Sequence, residues 1–192
     1  HEGASIVRKP YPTVRADWDS QEAEQEFSLL EECRGLMNQE RAILNYPAGK
    51  RLHFKVHGKT DHIYSALEKH KTLIEHMENV DNLWLANTFD VSNPGGLLIL
   101  TGSSIQVRTS MEGADLQKAK DNVHKQIALL QKEVARTQQK LSNPDFVAKA
   151  PPDVLNEHRE RLERESQMIQ LFQHALGQID LYILERKRIE GP

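Results

Sequence analysis

One cysteine is all the chain carries. Cys33 stands in a helical pattern and reads as a reduced, partly buried thiol, which points to a reducing compartment. Aromatic residues are scarce, at 6%, which is thin for one large core. No run of about 18 apolar residues exists, so no segment reads as membrane-spanning. The start, HEGASIVRKPYP, lacks the apolar stretch of a signal peptide, and His1 in place of Met is expected of a piece of a longer chain. Neither charge dominates: 25 Lys and Arg face 28 Asp and Glu, for a net charge of -3. Contact with a polyanion must therefore be local, and its affinity in isolation weak. No serine, cysteine or carboxylate pair stands out as a nucleophile or an acid–base couple.

What is present is helical periodicity interrupted by one short strand-rich stretch. With 192 residues the chain has room for one compact domain plus an extended element, or for two small domains. Pro10 and Pro12 make the start an extended lead-in. Asp19 or Ser20 caps a helix to about Leu44, with Phe27, Leu30, Cys33, Met37 and Leu44 inward and Glu22 and Glu24 in the first turn. Tyr46-Pro47-Ala48-Gly49 ends it. In KRLHFKVHG, Leu52, Phe54 and Val56 alternate with Arg51, His53, Lys55 and His57, the pattern of a half-buried strand. A second helix is predicted over about 61–78, with Leu67, Ile74 and Met77 inward. A strand follows from Leu83 to Phe89, then a turn at Asn93-Pro94-Gly95-Gly96. Leu97 to Leu100 and Ser104 to Thr109 read as a hairpin.

From Leu116 the pattern is heptad. Leu116, Ala119, Val123, Ile127, Leu130, Val134, Thr137 and Leu141 form one seam. Leu155, His158, Leu162, Glu165, Ile169, Phe172, Leu176, Ile179 and Ile183 form another. Each stripe alone would face water, so the two helices are expected to pair antiparallel. Between them lies KLSNPDFVAKAPPDVL. Asn143-Pro144 stops the first helix, while Pro151-Pro152 and Asp153 suit the start of the second. Phe146, Val147 and Ala150 can cap the end of the seam, so the stretch reads as a structured tip. The fold class is α+β, mostly helical: a small mixed α/β unit followed by a long antiparallel two-helix coiled coil.

Other residues carry little chemistry. His53 and His57 share a strand face, while His70 and His76 lie on different faces of one helix. Zinc wants about four ligands, usually with cysteine, so these read as solvated or hydrogen-bonded histidines, and no metal site is expected. Gly58-Lys59-Thr60 echoes the end of a phosphate-binding loop but lacks its upstream glycine, and reads as a strand-to-helix turn. Lys132, Arg136 and Lys140 share one helix face near the tip, Lys149 lies in the tip and Arg159 begins the next helix. On a coiled coil such a stripe is usually a solvated flank. Arg186, Lys187 and Arg188 form a second basic cluster of unassigned role.

The stretch LSNPDFVAKAPPDVL between two coiled-coil helices resembles the tip of the C-terminal arm of valyl-tRNA synthetases. RAILNYPAGKRL is similar to the end of that family's last anticodon-domain helix, where an arginine-rich helix runs into N-x-P-P-G-K. Arg41, Asn45, Pro47, Gly49 and Lys50 agree. Ala48 replaces a proline, and Asn38 and Ile43 stand where Arg and Glu are usual. SIVRKPYP is similar to the lead-in to that helix. The resemblance covers nearly the whole chain in order, although residues 58–113 match only in pattern and the tail beyond Leu176 is not placed by it.

The resemblance implies three parts: residues 1–48 as the end of the anticodon-binding helical domain, 49–112 as a small α+β unit, and 113–192 as the coiled-coil arm with its tip at 142–152. It implies a parent valine–tRNA ligase, cytoplasmic, using ATP and Mg. This chain lacks the HIGH and KMSKS motifs and is expected to hold no cofactor and catalyse nothing alone. Its implied partners are tRNA(Val) and the rest of the synthetase, as a monomer and without a membrane. With the resemblance, phosphate contact becomes the expectation for Lys132, Arg136, Lys140, Lys149 and Arg159, with Phe146 available to stack on a base at the tRNA elbow. The rival reading is a coiled-coil protein–protein interaction or dimerisation module that binds no RNA.

Overall fold

The computed structural model describes residues 20–47, 49–87 and 96–190. The predicted lead-in, the end of the Leu83–Phe89 strand and most of the Asn93–Gly96 turn lie outside them. The first helix, α1 (Gln21–Ile43), starts where the Ser20 hydroxyl accepts a hydrogen bond from the Ala23 amide, with Glu22 and Glu24 at the positive end of its dipole. It ends at Leu44, and Asn45 then takes a left-handed φ of 53°. The buried face is Leu29, Cys33, Leu36, Met37, Glu40 and Ile43.

Phe27, expected inward, is 63% exposed. It lies two residues before Leu29, about 200° round the helix and so on the opposite side. Met77, also expected inward, is 53% exposed and lines with Phe27, Leu30 and Leu73 a shallow groove between the first two helices.

The strand-rich stretch forms a four-stranded mixed sheet of order β2-β1-β4-β3. Strand β1 (Leu52–Gly58) runs into α2 (Asp61–Met77), capped by Thr60, and the chain returns as β2 (Val80–Ala86) parallel to β1. The hairpin β3 (Leu97–Thr101) and β4 (Ile105–Ser110) adds two antiparallel strands on the other side of β1. Gly58 is needed at the strand-to-helix turn because a Cβ there would meet the Tyr64 amide nitrogen at 2.8 Å. Lys59 donates to the Gly102 and Ser103 carbonyls, so the Gly58-Lys59-Thr60 turn is tied to the hairpin.

The stretch after α1 is held by one buried cation. The Arg41 guanidinium donates to the carbonyls of Lys50 (2.6 Å), Glu78 (2.8 Å) and Asn79 (3.2 Å), and lies over the Phe54 ring. It thereby fastens the ends of α1 and α2 to the entry of β1. The Lys50 ammonium in turn covers the Tyr46 ring, 3.8 Å from its centroid.

Two further helices complete the body and leave it. Helix α3 (Leu116–Leu141) is capped by Asp115, and its first turns bury Leu116, Ala119, Val123 and Ile127. A six-residue helix, α4 (Pro144–Lys149), forms the tip, and α5 (Pro152–Glu190) returns from it. The hairpin is antiparallel within one chain: Glu133 pairs with Arg161 and, nearer the body, Lys120 pairs with Asp180. One continuous core joins α1, the sheet, α2, the first half of α3, and Ala175 and Ile179 of α5.

Near its C-terminal end α5 also seals the sheet. The Gln178 side chain accepts from the Ile99 amide (2.7 Å) and donates to the Ile99 carbonyl (2.8 Å), so one amide group imitates a neighbouring strand on the open edge of β3.

Candidate nucleic-acid interface

Past Ile127 the two long helices have little but each other to pack on. From there to Leu141 the arm runs roughly 20 Å, at about 1.5 Å per residue. In this stretch α3 buries Thr137 fully and α5 keeps Leu155, Leu162 and Ile169 half-buried, so the seam is thin and most side chains face water. At the tip Asn143 caps α4 through the Asp145 amide, with Pro144 in its first turn. Phe146 is half-buried and sets its ring edge-on to His158, centroids 5.7 Å apart. It thus takes part in tip packing while keeping some surface open. Val147 is exposed.

The basic residues fall into two groups. Lys132, Lys140 and Lys149 are exposed, on α3 and α4. Arg136 is exposed too, but its Nη1 donates to Glu133 Oε1 at 2.7 Å. Arg159, on the first turns of α5, reaches Asn156 Oδ1 at 3.3 Å.

A cleft of about 390 Å³ opens between the end of α3 and the start of α5, lined by Glu133, Arg136, Lys140, Asn143, His158 and Arg161 among others. It gathers two of the expected residues, Arg136 and Lys140. Lys132, Phe146, Lys149 and Arg159 are not part of its lining.

Arg161 and His158 also line the cleft, and neither was among the residues expected to contact RNA. Arg161 donates through Nη2 to Glu133 Oε2 (3.3 Å) and through Nε to Glu165 Oε1 (2.8 Å). A signal existed for it. Arg161 stands next to the seam residue Leu162, and positions flanking a heptad seam face the partner helix. The other basic cluster, Arg186 to Arg188, lies in the last turns of α5, roughly 40 Å along the helix from Arg161. Among the described residues no group of three or more His, Cys, Asp or Glu side chains is placed to share a metal ion, and no helix is long and apolar enough to cross a membrane. Of the paired strand histidines, His57 is fully buried, not solvated.

Comparison with known proteins bears on this geometry. Residues 115–180 match the family described as the valyl-tRNA synthetase tRNA binding arm, a stretch running from the cap of α3 into the part of α5 that meets the sheet. The chain is similar to valine–tRNA ligases of Oceanobacillus iheyensis (28% identical over 162 residues, 84% of this chain) and Anoxybacillus flavithermus (30% over 168 residues, 84%). It is also similar to that of Thermotoga maritima, at 26% over 180 residues and 93% of the chain. It spans 18% of the length of the first two and 20% of the third.

Proposed function

From the match of residues 115–180 to the valyl-tRNA synthetase tRNA binding arm, we propose that this chain is the tRNA-binding C-terminal portion of a valine–tRNA ligase. The observation that carries the proposal is the thin helical hairpin with five exposed Lys and Arg side chains near its far end. A two-helix arm encloses no substrate, so its use is as a surface. Lys132, Arg136, Lys140, Lys149 and Arg159 present positive charge around the tip, and phosphate contacts of that kind position an RNA without reading its sequence. Phe146 keeps part of its ring accessible beside them, as stacking on an unpaired base requires. The arm then holds tRNA(Val) by its elbow, while valine activation with ATP and Mg, and transfer, belong to the remainder of the ligase. The chain itself carries none of that chemistry, and valine-dependent ATP–pyrophosphate exchange by the purified chain would contradict this division.

The competing reading is a coiled coil that pairs with another protein or with itself. The two are separated by measuring tRNA binding to the purified chain over a salt series. Phosphate contact predicts that log affinity falls linearly with log salt, by about 0.7–0.9 per contact. An apolar helix interface predicts no tRNA binding and self-association that persists as salt rises.

A further inference from the structure

The Glu133 carboxylate occupies a particular place in the tip cleft. Among the described residues lining the cleft it is the one acid, facing Arg136, Lys140 and Arg161. Its two oxygens point to different helices: Oε1 takes Arg136 Nη1 on α3 at 2.7 Å, and Oε2 takes Arg161 Nη2 on α5 at 3.3 Å. An oxyanion fork bridging two guanidinium groups is also the arrangement a phosphodiester makes with paired arginines. Arg161 is held from behind by Glu165, a largely buried carboxylate that engages its Nε and leaves its Nη edge turned toward Glu133. Asn143 and Lys140 supply further donors on the same wall.

We propose that this cleft is a seat for one RNA phosphate, and that Glu133 fills the seat until RNA displaces it. The inference rests on the RNA-binding reading above and adds to it a specific subsite, two further contact residues (Arg161, with His158 beside it) and a competing side chain. The Glu133 pairs are exposed, with its side chain 38% accessible and those of the two arginines 59% and 48%. Exposed pairs of this kind are weak, so the carboxylate yields readily to a better-matched anion. A phosphate within a polynucleotide fits better than a free small anion, because its neighbours along the strand can reach the other exposed Lys and Arg side chains near the tip.

The test uses the purified chain and an unmodified tRNA(Val) transcript, with affinity measured by filter binding over a salt series and helicity checked by circular dichroism. The variants are Glu133→Gln, Arg161→Gln and, as a control on an exposed flank outside the cleft, Arg164→Gln. Glu133→Gln is expected to tighten binding by about two- to fivefold, the range released when an exposed ion pair no longer competes. A gain of affinity cannot arise from misfolding, and Glu160→Gln, which removes the same charge from an exposed pair outside the cleft, is expected to give a smaller gain; an equal gain would be general electrostatics and overturns the seat. Arg161→Gln is expected to weaken binding and to flatten the salt slope by about 0.7–0.9, one phosphate contact, while Arg164→Gln alters neither. An unchanged or weaker Glu133→Gln overturns the inference, as does an Arg161→Gln indistinguishable from Arg164→Gln. If the unaltered chain binds tRNA with a steep salt slope in either of those cases, the RNA-binding reading stands and only the seat is lost. If the unaltered chain does not bind, both fall together.

Discussion

A carboxyl group without solvent exposure, Glu40 on α1, sits in the core beside the backbone of Leu100. Burial drives its pKa well above the ordinary carboxylate range, and the nearby Leu100 amide offsets only part of that. The folded chain therefore keeps a proton there that the unfolded chain releases above about pH 4.3. Glu40's contribution to stability is full below that pH and is lost as pH rises toward the raised folded-state pKa. Glu40→Gln keeps the shape and cannot ionise. Its melting temperature is expected to match the parent's at about pH 4 and to exceed it by a few degrees at about pH 7.5. Thermal unfolding across that range checks this, and a constant difference at every pH would contradict it.

Neighbouring Cys33 is equally buried, and its thiol is pushed up to about 12, chiefly by burial and secondarily by Glu78, Glu32 and Glu40. The sequence showed Cys33 as a core thiol because its helical spacing is local. It did not show Glu40 as a core residue, since a glutamate in a charged helix reads as surface unless the covering element is known. Phe27 erred the other way: its apolar side chain invited a core placement that the 100° step of α1 denies it.

At the level of elements, heptad stripes and strand alternation were legible because each depends on residues close in sequence. The order α1, β1, α2, β2, β-hairpin, α3, tip, α5 follows from them, and so does the antiparallel pairing of α3 with α5. The docking of α5 on the edge of β3 was not legible. A stripe states that it must be covered without stating by what, and the stretch of α5 around Ala175 to Ile183 serves α3 and the sheet together. Gln178, polar and off the seam, gives no sign in sequence of its pair of bonds to Ile99.

Gln178→Ala removes both bonds, at a cost of about 1–2 kcal/mol. The Ile99 amide should then exchange with solvent roughly tenfold faster, while the helicity of the arm is unchanged. Amide exchange followed by NMR reads this directly. Unaltered protection at Ile99 would show that the edge is sealed by packing alone.

The whole molecule is a body and a lever. Arg41 locks the end of α1 to the sheet, the sheet edge locks α5, and the paired helices carry the tip away from the core. The net charge of -3 leaves no overall field to draw in RNA, so the account places binding in a few local contacts. Of the residues proposed for these contacts, the α3 stripe was visible in the sequence through its spacing of four. Arg161 was marked only by its place beside the seam, and its pairing with Glu133 required the facing helix to be in place.

The most direct test of the central claim is made in the complete ligase, with Lys132→Glu and Arg136→Glu combined and the Michaelis constants for tRNA(Val) and valine compared. The account predicts a constant for tRNA raised at least about tenfold, the effect of losing more than about 1.4 kcal/mol of contact, with valine activation unchanged. A constant for tRNA that does not move, in a correctly folded double variant, would make the basic stripe a solvated flank and contradict the assignment of the arm tip as the RNA contact.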